Sequence, residues 1–332
     1  MKTMQGGAMP MEIGVVGLGL MGSSIVVALL MAGHRVVAIA PLPGDMENAE
    51  GYIRAQLQDC EKAGLLEKHV DSYISKLIIS EDYEKLENCG IVMECVVENV
   101  QIKAGVYRKI ESIVDNETIV ASNTSAIPIS ELQYSMRRPE RFLGIHWAEP
   151  AFVTRFLEIT CGALTNHAYA GIVWQLAHSW GKEPTVLKKD IRGFITNRLM
   201  YAVYRELFHL VDEGVTTIEN ADKACRYDFG SWITLMGIFR RMDYLGLVDC
   251  RRILERNFPK LCNTGNVPRI MQNMVNSNAR GTQNLVGLYN YNPEEAKAWE
   301  EAFALFNKDI YKLASHYPLR KLEMKINKAT VF

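Results

Sequence analysis

Three glycines set the first chemistry available to this sequence. Gly17, Gly19 and Gly22 stand at G-x-G-x-x-G spacing, with Leu20 and Met21 between the last two. The first glycine of such a series permits a tight strand-to-helix turn. The second lets backbone approach a pyrophosphate, and the third lets the helix pack close to the strand. The helix N-terminus then offers unpaired N–H groups and about half a positive charge to the phosphates. These five residues are the expected cradle for a dinucleotide.

The elements needed to position them are legible on both sides. Glu12 to Val16 reads as a strand, and an apolar helix follows to Ala32, with Gly33 placed as its C′ residue. Arg35 to Ala40 is the next buried strand, completing β-turn-α-turn-β. Residues 13–33 carry no charge over 21 residues, a length that could cross a bilayer. Five glycines in that stretch, four of them at turn or helix-end positions, predict a buried strand, turn and helix instead.

Further along, helices are expected at 47–63, 68–76 and 101–114, and apolar strand runs at 91–97, 118–121, 142–145 and 156–160, with 185–187 as a last strand signal. This alternation predicts a mostly parallel sheet covered on both faces. From about residue 190 only helical patterns continue. The first, at 194–213, repeats Leu199, Val203, Leu207 and Leu210 at helical spacing, and others follow at 217–225, 233–257, 267–277 and 293–315. The expected fold class is α/β: a Rossmann-type, mostly parallel sheet domain over 11–189, then an all-α helical domain over 190–332, with a disordered tail at 1–10.

The ribose end of the dinucleotide site departs from its usual form. An acid is expected at the end of the second strand, but the chain reads Ile39-Ala40-Pro41. Ala40 cannot accept a hydrogen bond from a 2′-hydroxyl, and no arginine follows to hold a 2′-phosphate. NAD is the expected cofactor because nothing here attracts extra phosphate charge. NADP stays open, and Asp45 is a candidate substitute for the missing acid.

Polar motifs follow the later strands in a fixed order. They are Glu98-Asn99 with Lys103, then Ser122-Asn123-Thr124-Ser125, then Gly144-Ile145-His146-Trp147-Ala148-Glu149-Pro150, then Glu158, and finally Gly193-Phe194-Ile195-Thr196-Asn197-Arg198. Oxidising an alcohol needs a base for the hydroxyl proton and an acceptor for the hydride. Imidazole, with an ordinary pKa near 6.5, can take or return a proton near neutrality.

This series resembles the L-3-hydroxyacyl-CoA dehydrogenase family, and the likeness covers most of the chain. It extends to Asp243-Tyr244-Leu245-Gly246-Leu247-Val248-Asp249 and Gly287-Leu288-Tyr289-Asn290-Tyr291. The resemblance implies hydride transfer between nicotinamide and C3 of a 3-hydroxyacyl-CoA or related 3-hydroxy acid. It implies His146 as general base, with Glu158, twelve positions on, orienting it. Ser125 and Asn197 are implied to bind the reacting oxygen. Glu98 and Lys103 are implied to lie at the nicotinamide end, and Asn123 is counted with the cofactor-binding residues. A homodimer through the residues after 190 and a place in fatty acid metabolism are implied as well.

The chain departs from the family pattern around the substrate. Glu149 stands where an asparagine is usual, with Glu149–Arg155 pairing as the plain alternative to a substrate role. Gly237-Ile238-Phe239-Arg240-Arg241 replaces the usual glycine-proline-phenylalanine segment, and Arg192 stands where a proline is common. A free hydroxy acid or hydroxylated amine therefore stays open as substrate beside a CoA thioester. A β-hydroxyacid dehydrogenase also shares the first glycine motif, but its lysine three positions before the asparagine is absent, since residue 194 is Phe. A non-catalytic dinucleotide-binding protein is the remaining alternative.

Composition narrows the partners. The net charge of −1 gives no basic field for nucleic acid or an anionic membrane. Seven cysteines without a CxxC pair fit a reducing, cytoplasmic setting. Histidines and cysteines show no zinc-type spacing, so no metal is expected. His34, His69, His167, His178, His209 and His316 are read as structural.

Overall fold

The computed structural model describes residues 11–41 and 45–295, together with 297–299, 302, 306 and 309. The tail expected over 1–10, and much of the helix expected over 293–315, lie outside these residues. The chain divides into two compact units, 1–197 and 198–331.

The first unit is built on one sheet of eight strands. These are β1 (Glu12–Val16), β2 (Arg35–Ile39), β3 (Leu77–Ser80), β4 (Ile91–Glu94), β5 (Ile119–Ser122), β6 (Phe142–Trp147), β7 (Phe156–Cys161) and β8 (Glu183–Leu187). Their order is β3-β2-β1-β4-β5-β6-β7-β8. Every neighbouring pair is parallel except β6 and β7, which run antiparallel. The direction of winding reverses between β1 and β4, and the crevice at such a switch point is where this architecture binds ligands. The unit's helices are α1 (Leu20–Met31), α2 (Asp45–Lys62), α3 (Val70–Ile74), α4 (Val100–Glu111), α5 (Ile129–Gln133) and α6 (His167–Ser179).

Core lies on both faces of the sheet. On one, Ile25, Val26, Leu29 and Leu30 of α1 pack with Val15, Ile91 and Ile145. On the other, Val106, Tyr107 and Ile110 of α4 pack with Val120, Ile129 and Phe142. Helix α1 is buried continuously from Gly22 to Leu30. This explains its uncharged sequence, since a helix covered all round has no polar stripe. Each such Leu or Ile contributes roughly 1.5–3 kcal/mol of burial. Among the described residues no helix is long and apolar enough to cross a membrane.

The second unit contains most of α7 (Thr196–Asp212), then α8 (Ile218–Ala224), α9 (Gly230–Met236), α10 (Ile238–Leu245), α11 (Leu247–Asn257) and α12 (Arg269–Asn276). Among its described residues the buried apolar side chains are Ala221 and Cys250.

Three expectations are corrected. The helical pattern over 233–257 is three helices, because Gly237 (φ 73°) and Gly246 (φ 94°) take left-handed backbone that ends one helix and starts the next. Strand β3 was not expected: its apolar run, Leu77-Ile78-Ile79, is short, and the strand sits at the sheet edge with no residue fully buried. The run 91–97 leaves the sheet after Glu94.

Candidate active site

The glycine turn sits at the carboxyl end of β1. Gly17 has φ 98°, and a Cβ there would lie 2.9 Å from the Cys95 carbonyl carbon. A Cβ on Gly22 would fall 1.8 Å from the Gly17 carbonyl oxygen, so only glycine lets α1 start this close to the strand. Gly19 has nothing within 4 Å of its would-be Cβ, and Leu20 is exposed. No side chain caps α1 and no acid lies in its first turn. The open space and uncapped N–H groups fit a pyrophosphate. Ala40, the residue after β2, is buried and donates its N–H to Ser80 O.

Across the switch point a pocket of about 400 Å3 gathers Met21, Glu98, Asn123, Ser125, His146 and Asn197. These come from five separated stretches of sequence. Cys95, Val96, Trp147, Ala148, Glu149, Phe156 and Thr196 complete its lining.

His146 and Glu158 face each other because β6 and β7 pair antiparallel with these two residues directly in register. His146 Nδ1 lies 2.7 Å from Glu158 Oε2, and Glu158 is fully buried. The other carboxylate oxygen accepts the N–H groups of Ile195 (2.9 Å) and Thr196 (3.2 Å). Those two amides are aimed by Gly193 (φ 79°) and Phe194 (φ 48°), two consecutive residues in the left-handed region. The Phe194 value is strained for a bulky residue. Its ring lies against the imidazole, with centroids 5.7 Å apart.

Glu98 organises the serine turn. Its Oε1 accepts from Thr124 Oγ1 and from the backbone N–H groups of Ser125 (3.2 Å) and Ala126 (3.3 Å). Burial pushes its carboxyl up, but the Thr124 hydroxyl, the Lys103 charge and the Ala126 N–H outweigh that and hold it below its ordinary value. Asn197 Nδ2 donates to the Ser125 carbonyl at 2.8 Å. Asn123 Oδ1 accepts the Trp147 N–H at 2.9 Å, tying the serine turn to β6.

Lys103 does not line the pocket. It is buried beneath it, donating to both oxygens of Glu94 (2.8 and 3.0 Å), and lies 3.3 Å from Glu98 Oε2. Glu94 also accepts from Val96 N (2.7 Å), Tyr107 OH (2.8 Å) and Ser122 Oγ (2.8 Å). Sequence reasoning missed Glu94. The available signal was a lone acid closing an otherwise apolar strand. It also missed Lys182, a buried lysine whose Nζ donates to Ala151 O and Thr154 O and sits 5.2 Å from the centroid of the Trp147 ring. Burial pushes its ammonium down to about 8, and the Arg155 charge adds to this. Arg155 pairs with Glu183. Among the described residues no group of three or more His, Cys, Asp or Glu could hold a metal ion.

A doubly wound sheet with an open glycine turn and a polar pocket at its switch point defines a dinucleotide-dependent oxidoreductase. Residues 12–191 match the family model described as 3-hydroxyacyl-CoA dehydrogenase, NAD binding domain, and residues 193–291 match that of the C-terminal domain. The chain belongs to the 3-hydroxyacyl-CoA dehydrogenase family, and its cofactor is NAD. It is 31% identical to a 5-formyl-3-hydroxy-2-methylpyridine 4-carboxylate 5-dehydrogenase of Mesorhizobium japonicum, over 86% of this chain and 93% of that one. It is 29% identical to a probable 3-hydroxybutyryl-CoA dehydrogenase of Deinococcus radiodurans, over 85% of this chain and 100% of the other. The solved structure of a 5-formyl-3-hydroxy-2-methylpyridine 4-carboxylic acid 5-dehydrogenase, described as an NAD+-dependent dismutase, superposes with a TM-score of 0.86. It has 29% identity and covers 93% of this chain and 100% of that one.

Proposed function

We propose that the enzyme interconverts a 3-hydroxyacyl-CoA, or a related 3-hydroxy acid, with its 3-keto form, using His146 and Glu158 as an acid/base pair. The observation that carries this reading is the 2.7 Å contact between His146 Nδ1, in the pocket lining, and the fully buried Glu158. A carboxylate only accepts, so Nδ1 holds the hydrogen of that bond, which leaves Nε2 to take the hydroxyl proton. The imidazolium formed is then balanced by Glu158. The Ser125 hydroxyl and the Asn197 amide are donors within the same pocket, suited to steady the oxyanion as charge develops. NAD, when bound, supplies the hydride acceptor. Gly17, Gly19, Leu20, Met21 and Gly22 would hold its pyrophosphate, and Glu98 and Asn123 its nicotinamide end.

The test is cofactor-linked absorbance with hydroxyacyl-CoA esters and free 3-hydroxy acids, run with NAD and NADP in parallel. Turnover of a 3-hydroxy compound with NAD supports the reading. Cofactor binding without hydride exchange across the whole panel overturns it.

A free or aromatic hydroxy compound is the second reading of the substrate. It is favoured by the 31% identical relative named for a pyridine carboxylate. We also propose domains at 11–189 and 190–332, a cytoplasmic setting, and a homodimer through the helical domain. The helical unit supports the dimer: Phe239, Tyr244, Leu247 and Val248 are exposed, while Ala221 and Cys250 are its buried apolar residues among those described. Exposed apolar surface on that scale calls for cover. Sedimentation as a monomer at micromolar concentration would contradict it.

A further inference from the structure

Lys103 draws together two carboxylates of unequal exposure. Glu94 closes β4 and is fully buried; Glu98 lies in the turn beyond it, with its side chain 39% exposed and in the pocket lining. All four donors around Glu94 point at its oxygens, the pattern of a carboxylate rather than a carboxylic acid. Ser122 Oγ, which donates to Glu94, also accepts the Thr124 N–H at 3.2 Å. The one ammonium therefore faces two carboxylates, and the group keeps one net negative charge. No lysine or arginine lines the pocket among the described residues.

The position of this charge follows from the sheet. The second strand's end takes the adenosine half of a dinucleotide, so the nicotinamide half falls on the other side of the switch point, over the ends of β4 and β5. Glu94 and Ser122 are the last residues of those two strands. The oxidised nicotinamide ring carries a positive charge, and the reduced ring carries none.

We propose that Glu94, Lys103 and Glu98 form a charge triad whose single net negative charge makes this site favour oxidised over reduced nicotinamide. Within the triad Glu94 is a positioning residue. By engaging Lys103 from below it leaves the Glu98 charge uncancelled at the pocket, and through Ser122 it also reaches the serine turn. This inference rests on the NAD reading of the site and adds a redox preference that the reading alone does not contain.

Calorimetric titration of the full chain with NAD+, NADH and ADP-ribose, each separately and at fixed ionic strength, tests it in wild type, Glu98→Gln and Glu94→Gln. In Glu98→Gln the NAD+ affinity should fall roughly five- to thirtyfold more than that of NADH or ADP-ribose, as for loss of a unit charge near a half-buried site. Glu94→Gln should shift the NAD+/NADH ratio the same way, because Glu98 alone then balances Lys103. An unchanged NAD+/NADH ratio in Glu98→Gln overturns the triad, whether both affinities fall together or neither moves. If Glu94→Gln does not fold, Glu98→Gln decides alone, since that residue is half-exposed. Failure of the wild type to bind any of the three ligands would instead overturn the cofactor reading.

Discussion

His146 and Glu158 are cross-strand neighbours, paired directly opposite each other where β6 and β7 run antiparallel. That is the one antiparallel junction in the sheet. In an antiparallel pair, side chains opposite one another stand on the same face with Cβ atoms about 5 Å apart. The 2.7 Å contact is thus set by backbone register and needs no long side-chain reach. Groups mounted on rigid strands are better held than groups on loops, which suits the acid/base role proposed for this pair.

Replacing His146 by alanine should lower kcat by roughly 10²–10⁴, the usual contribution of a positioned acid/base group. Circular dichroism should show the fold intact, since the ring is partly exposed at the pocket. Full activity in the variant would remove His146 from the mechanism.

Glu158→Gln keeps the side chain's shape and loses its charge. Turnover should drop by about 10² or more, because nothing then balances the imidazolium. Stability should fall as well, by about 1–3 kcal/mol in urea titration, since a buried group with three donors around it loses one acceptor oxygen. An effect on stability alone would make Glu158 a structural residue.

Asn197→Ala cuts the 2.8 Å bond to the Ser125 carbonyl, and Asn197→Asp sets a carboxylate against that same oxygen. The alanine variant should lose roughly tenfold in kcat/KM, and the aspartate variant more, because the hydrogen bond becomes a repulsion. Steady-state kinetics in which aspartate outperforms alanine would contradict this.

Lys182 makes stability depend on pH in a definite direction. Its pKa is about 8 in the folded chain and near 10.5 when exposed. Between these values the unfolded chain binds the proton and the folded chain does not, so the contribution of this group to stability rises with pH across that window. Below about pH 8 both states are charged and the gain is absent. Relative to Lys182→Met, the wild type should therefore gain on the order of 2–3 kcal/mol between pH 8 and pH 10.5, read from paired denaturant titrations. A flat difference would show that Lys182 is solvated.

Glu149→Asn removes a charge from the pocket lining. Activity on an anionic 3-hydroxy acid should rise roughly tenfold, while a neutral analogue changes by less than about threefold. Equal responses from the two would place the carboxylate away from the substrate.

The glycine turn and the alternation of strands and helices were legible because their signals are local. Gly17 and Gly22 are needed for backbone approach within a single turn, and residues 13–16 of β1 and 22–30 of α1 are buried, so those stretches carry no charge. The partners beneath the pocket were not legible in the same way. Lys103 and Glu94 are nine positions apart in sequence, but only the strand-to-helix geometry shows that they meet in the interior rather than at the surface. Lys182 looks in sequence like any solvated lysine. Its role depends on the carbonyls of Ala151 and Thr154, some thirty residues away. The helix expected over 233–257 failed for a local reason, since apolar periodicity does not report that Gly237 and Gly246 adopt positive φ.

Glu158 divides its two oxygens between different tasks, one on the imidazole and one on the amides of Ile195 and Thr196. Those residues lead directly into α7, and both have exposed surface. On the proposed mechanism the same carboxylate serves the proton chemistry and also staples the backbone at Ile195 and Thr196. Its state can be followed without any substrate, through the rate at which two surface amides trade hydrogen for deuterium: slow while the staple holds, fast once it is lost.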